Sequence, residues 1–196
     1  MKHFLALFLF VACFAAKAQV ADDADRRTLQ TIKEANRAYT TITATFKQTR
    51  HLSMLGENTV TAGMFYYRKP ERLEMKYTQP EGDLLLLDGD RFIVITAGKE
   101  RKISPKNVKM EGMKTILSAC LQGDMELIGA EKITCTRQAE DDVIVADING
   151  KQNRSGIIRV IVRYAAGDHS PVSIQTIEAD GSYTLYELAD KKLNEV

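Results

Sequence analysis

The sequence has almost no net charge: 27 Lys and Arg stand against 26 Asp and Glu in 196 residues. No basic cluster stands out, which excludes a nucleic-acid surface, because that needs concentrated positive charge. Cysteine is scarce, with only Cys13, Cys120 and Cys135, and no two are spaced as C-x-x-C. After the first few residues the histidines are His51 and His169 alone, with no ligand spacing around them, so no metal site is expected. There is no G-x-S-x-G and no phosphate-binding glycine loop. Neither an enzymatic activity nor a cofactor is therefore expected. Past its first segment the chain also lacks any long apolar run, whereas a spanning helix takes roughly 20 apolar residues. No repeat, low-complexity tract or linker divides it. With 44% hydrophobic and 27% charged residues it suits one globular domain, long enough to bury a sizeable core.

The first segment, "MKHFLALFLFVACFAAKAQ", has a basic start at Lys2, an apolar run from Phe4 to Ala16, and Ala16-Lys17-Ala18 as an A-x-A site. It reads as a secretory signal peptide over residues 1–18, leaving a single domain over 19–196 that begins at Gln19. Without Lys2 and Lys17 the balance becomes 25 basic to 26 acidic. A rival reading makes Cys13 a lipidation site. It is weaker, because Phe10 stands where such a box usually has Leu and because Phe14-Ala15-Ala16 would be left outside. A lipidated Cys13 would instead make the protein a membrane-anchored one. Cys120 and Cys135 fit either a disulfide of an exported protein or two buried thiols.

Residues 22–39 place Leu29, Ile32, Ala35 or Asn36, and Tyr39 on one helical face. "TITATFKQTRHL" then alternates, with Ile42, Ala44, Phe46 and Gln48 opposite Thr43, Thr45, Lys47 and Thr49. Further strands are expected at about 59–69, 72–79, 83–88, 91–97, 100–103, 131–137, 143–148, 157–164, 172–178 and 183–189, roughly eleven in all. Asp88-Gly89-Asp90-Arg91 marks a tight hairpin, and Asn149-Gly150 and Asp180-Gly181 mark further turns. Between the two runs of strands, Ser104 to Asp124 is helical. Ser104-Pro105 is its expected start, Gly112 is expected to divide it, Met113, Ile116, Leu117, Cys120 and Leu121 form a stripe, and Gly123 ends it. Glu140-Asp141-Asp142 reads as a solvated turn. The sequon Asn153-Arg154-Ser155 is set aside because the signal peptide is bacterial in type.

Short links cannot make parallel crossovers, so the strands must form an antiparallel meander. Several are oily on both faces. In 64–67, Met64 and Tyr66 oppose Phe65 and Tyr67; in 143–148, Val143 and Val145 oppose Ile144, Ala146 and Ile148. Long antiparallel sheets curl. Helices tucked into the curl would enclose either a filled core or an apolar cavity, with Met54, Met64, Met75, Met110, Met113 and Met125 as adaptable walls.

In order along the chain come an amphipathic helix, "ATFKQTR" with Phe46-x-Gln48, Gly63, the corner Arg68-Lys69-Pro70, Arg72 in "ERLEMKYTQP", and "LLLLDGDRFIVI". A mid-chain helix and a C-terminal meander follow. This pattern, over most of residues 25–190, resembles the periplasmic outer-membrane lipoprotein carriers, the LolA family. The resemblance implies a mainly β (α+β) fold, an incomplete antiparallel barrel with an N-terminal helix and a mid-chain helical lid over a hydrophobic cavity. It implies a monomeric periplasmic chaperone of a Gram-negative bacterium that carries lipoprotein acyl chains, or a related lipid, from an inner-membrane exporter to an outer-membrane acceptor. Phe46, Met64, Tyr66, Leu73, Met75, Leu85, Leu87, Phe92, Met113, Ile116, Leu117 and Leu121 would line cavity and lid. The family's lid-holding basic residue falls at Lys69, with Arg68 beside it. A lid that opens would lose little stability on Leu117→Ala. The scaffold also serves other roles: a lipid-sensing or protein-binding module, or a lipid-anchored acceptor.

Overall fold

The computed structural model describes residues 23–104, 106–149 and 155–195. The expected signal peptide with Cys13, the Asn149-Gly150 turn and the sequon lie wholly or partly outside them. A first helix, α1 (Asp23–Arg37), precedes six strands: β1 (Thr41–Leu52), β2 (Glu57–Arg68), β3 (Arg72–Gln79), β4 (Glu81–Asp88), β5 (Arg91–Thr96) and β6 (Lys99–Ile103). Helix α2 (Val108–Gln122) and a 3-10 turn (Met125–Ile128) follow. Then come β7 (Lys132–Gln138), β8 (Asp141–Asp147), β9 (Ile157–Ala165), β10 (Pro171–Glu178) and β11 (Tyr183–Leu193).

All eleven strands form one antiparallel sheet, ordered β6-β5-β4-β3-β2-β1-β11-β10-β9-β8-β7. Two meanders meet where β1 pairs with β11, Phe46 opposite Leu188 and His51 opposite Tyr183. The curled sheet is not closed, because β6 and β7 end it without pairing to each other. β6, "KERKI", blunts its edge with charge. Gly89-Asp90 makes the two-residue turn between β4 and β5, Gly89 at φ 57.

Alternation sorts the strands into a face covered by the helices and an open face. Ile42, Ala44, Phe46, Leu73, Met75, Ile144, Val160, Val162 and Ile174 all belong to the cluster buried beneath the helices. Burying each of these side chains larger than Ala44 contributes about 1.5–3 kcal/mol, so this cluster dominates the fold. Gly63 lets β2 and β3 approach. A Cβ there would stand 2.0 Å from the Lys76 carbonyl oxygen.

Four expectations are corrected. Helix α2 is one unbroken helix through Gly112, and it starts at Val108 rather than after Ser104. Its N-cap is Asn107, whose side chain accepts from the Met110 amide at 3.2 Å. Glycine weakens a helix by about 1 kcal/mol relative to Ala, less than the packing of this helix contributes. The strand pair around Glu140 begins sooner than expected, so Asp141 and Asp142 are strand residues. Asp142 is buried against Arg137 Nε at 2.6 Å, and Asp141 meets Arg163 at 2.7 Å. In β2 the core-facing pair is Phe65 and Tyr67; Met64 and Tyr66 point to the open face. Last, β11 extends to Leu193, four residues past its expected end.

Candidate functional site

The helix-covered face is where the chain concentrates buried apolar side chains. Of the twelve candidate lining residues, Phe46, Leu73, Met75, Leu87, Phe92, Ile116, Leu117 and Leu121 lie in one buried cluster. Leu85 and Met113 pack at its margin. Met64 and Tyr66 do not join it. Met64 sits opposite Thr45 on the other side of the sheet, whereas Phe65 pairs with Ala44 and Met75. Sequence reading missed Phe65, Tyr67, Tyr164 and Tyr186. No local signal in the sequence marks them; in the structure the hydroxyls of Tyr67 and Tyr164 find partners, as buried tyrosines do. Tyr67 Oη donates to the Pro70 carbonyl at 3.2 Å, and Tyr164 Oη to the Cys120 carbonyl at 2.6 Å. Burial pushes the Tyr67 hydroxyl up to about 12 and also raises that of Tyr164 well above its usual value, so both stay neutral donors.

The corner between β2 and β3 touches both helices. The Lys69 ammonium donates to the carbonyl of Asn36, in the last turn of α1, where cations suit the helix dipole. The Lys69 amide donates to Thr40 O at 3.0 Å. Burial lowers the Lys69 pKa below the usual lysine value. Arg68 is exposed and, among the described residues, has no matching contact with either helix. Pro70 O also accepts from Gln122 of α2 at 3.4 Å, and Glu71 pairs with Lys114 of α2 at 3.0 Å. Lys114 further donates to Gly89 O at 3.0 Å, its ammonium 5.9 Å from the Phe92 ring centroid.

A second fastening sits at the far side of α1. Asn36 is buried and donates to Ile32 O and to His169 O, at 2.9 and 2.7 Å. Tyr39 Oη donates to Asp168 O. Lys33 bridges Asp124 and Glu126, each at 3.0 Å, which ties α1 to the 3-10 turn. Gly123 caps α2 in the left-handed region, and a Cβ there would meet Ile32 at 3.0 Å. Among the described residues, Cys120 and Cys135 are free thiols. Cys120 is buried in α2, and Cys135, its thiol pushed up to about 12 by burial, faces Asp25 O at 3.7 Å.

Two concavities adjoin these elements, and a third lies on the opposite face of the sheet. One of about 240 Å³ opens beside Gln48, Tyr77, Leu85 and Val94, at the end of the helix-covered face. There Tyr77 Oη donates to Gln48 at 2.9 Å and stacks edge-on with Phe46. Another, of about 380 Å³, lies between α1, the 3-10 turn and β7, over Leu29, Met125 and Ile133. The largest, about 950 Å³, is a trough on the open face over Val143, Val145, Ile161 and Leu185, edged by the Lys47–Glu187 and Arg163–Asp141 pairs. What these surfaces can do is remove apolar groups from water. Among the described residues no group of three His, Cys, Asp or Glu is placed to hold a metal ion.

The described fold is thus an open, curled antiparallel sheet with two helices fastened across one apolar face. The chain belongs to the LolA family: the model of the outer membrane lipoprotein carrier protein LolA matches residues 37–196. No curated protein matches it. Among solved structures, an uncharacterised conserved protein of Thermus thermophilus superposes with TM-score 0.51 at 9% identity, covering 87% of this chain and 88% of that one. The lipoprotein LppX of Mycobacterium tuberculosis gives 0.47 at 13% identity, covering 89% and 98%. A LolA superfamily protein of Nitrosomonas europaea gives 0.44 at 10%, covering 88% and 94%.

Proposed function

We propose that this protein is a periplasmic carrier that shelters the acyl chains of lipoproteins, or of a related lipid, beneath α1 and α2. It receives cargo from an inner-membrane exporter and delivers it to an outer-membrane acceptor. Residues 1–18 serve as the export signal, and residues 19–196 act as one monomeric domain without enzymatic activity. One observation supports this reading above the others. The corner Lys69–Glu71 contacts both helices where they cover the apolar face, and with the bonds of Asn36 and Lys33 on α1 a small set of polar contacts controls access to it. The described state is closed: Ile116, Leu117 and Leu121 fill the space beneath α2. Cargo enters by displacing the helices, with mobile acyl chains replacing their side chains.

Mass spectrometry of the protein gently purified from its host tests this directly. A co-purifying lipoprotein or lipid is expected, together with saturable uptake of a fluorescent acyl probe by the emptied protein. Neither cargo nor probe binding would overturn the carrier reading.

A further inference from the structure

The hairpin joining β1 to β2 differs from the other turns between strands. Gly89-Asp90, Ala97-Gly98 and Ala139-Glu140 are tipped by small or charged residues, whereas this one carries Ser53-Met54-Leu55-Gly56. Met54 is 91% exposed and Leu55 64%. Behind them on the open face of β2 stand Val60 at 56% and Met64 at 48%. Four of the six large apolar residues exposed among the described residues thus lie on one hairpin. Neighbouring strands do not cover it. Pairing of β2 with β3 stops at Ala62–Gln79, so residues 57–61 run on without a β3 partner, ~17 Å at strand rise. On its other side the hairpin leans on the turn before β11, where Ser53 N donates to Ser182 Oγ at 3.1 Å.

We propose that this hairpin tip is a membrane-touching element that inserts Met54 and Leu55 into the interface of a lipid bilayer. Backbone chemistry favours lipid over a protein groove. A segment entering hydrocarbon must satisfy its own amides, and two amides of this tip are satisfied within the turn: Leu55 N and Gly56 N both donate to Leu52 O, at 3.1 and 2.9 Å. No charge falls between Leu52 and Gly56. Exposed apolar groups at a projecting tip match the apolar half of interfacial anchors. The charge nearby sets the lipid class. Arg50 is engaged by Glu178 at 3.9 Å, and Glu57 and Asp180 add negative charge near the tip. A zwitterionic bilayer is therefore the partner, with attraction that does not depend on salt. Contact of this kind is brief and reversible, since two side chains anchor far less than a spanning helix. The inference stands on the hairpin alone, so a failure to bind acyl probes would leave it untouched.

The chain contains no tryptophan, so L55W places a single indole at the tip. Mixed phosphatidylcholine and phosphatidylethanolamine vesicles, with and without brominated acyl chains, are the probe. The wild type is expected to co-float with them at low and high salt. L55W emission should shift to the blue and be quenched by the brominated lipid. M54E/L55E should keep the wild-type melting temperature and lose at least tenfold in partitioning. Three results would each overturn the proposal: a wild type that does not co-float, a double variant that co-floats equally, or an indole untouched by brominated lipid. A photo-crosslinker at position 55 that captures a protein while vesicles stay unbound would overturn it as well.

Discussion

Replacing Lys69 by methionine removes the ammonium that meets the Asn36 carbonyl and leaves most of the side chain's apolar stem. A hydrogen bond from a charged donor contributes roughly 1.5–3 kcal/mol, and the favourable helix end adds up to about 1 kcal/mol. Against this stands the cost of partly burying an ammonium, visible in the lowered pKa of Lys69. The difference is about 1–2 kcal/mol, a factor of roughly 5–30 in an equilibrium constant. The backbone bond from Lys69 N to Thr40 O survives the change, so the loss concerns the hold on α1 rather than the corner itself. Hydrogen exchange of the α1 amides is the assay, with V143A as the control. Val143 is buried on the open face, away from the helices, and losing two methyl groups there costs roughly 1.6 kcal/mol at 0.8 per carbon. V143A should lower global stability and leave the local opening of α1 unchanged. K69M should speed α1 exchange by that factor and accelerate uptake of an acyl probe. The reasoning fails if α1 exchanges at the wild-type rate in K69M, or if V143A speeds it equally.

Gly63→Ala should destabilise by roughly 3 kcal/mol or prevent folding, because its Cβ meets β3 backbone that no rotamer can move aside; a wild-type melting curve would refute this. Leu117→Ala should cost about 2–5 kcal/mol in chemical denaturation, replacing the small loss expected of a loosely held lid. Acid should weaken the protein partly through Glu74, whose carboxyl is held below its usual range by the hydrogen bond from Lys76 and by Arg72. A depressed folded pKa means stability present above the unfolded value of about 4.3 and lost as pH falls through the folded one. Melting temperatures of wild type and E74Q should therefore differ at neutral pH and converge in acid; a gap that persists at the acid end would count against the assignment.

The strands were legible because alternation and turn chemistry are local signals. Asp88-Gly89-Asp90-Arg91 shows its hairpin in four letters, and Ile42, Ala44 and Phe46 show their face by contrast with the threonines between them. The parity of 64–67 was not legible, because both faces are oily and contrast disappears. Only the register against β1, and the hydroxyl of Tyr67 reaching Pro70, resolve it. Gly112 misled because helix propensity is small beside the packing of Ile116, Leu117 and Leu121. Lys69 was singled out, but its partner Asn36 lies 33 residues away, and no spacing rule reports such a contact. The open-face trough depends on β1 lying beside β11, a pairing that belongs to the whole chain.

That pairing bears on how the chain is made. The first described strand lies at the centre of the sheet, and one of its two neighbours is the last described strand, β11. Asn194 seals the join, accepting from Thr40 N at 2.7 Å across a separation of 154 residues. Closing such a loop directly carries an entropic cost that grows slowly with its length. The first meander can assemble early with one flank of β1 unzipped, but the sheet becomes whole only once residues 183–193 arrive. A polypeptide wired this way therefore couples its two meanders only at the end of its assembly.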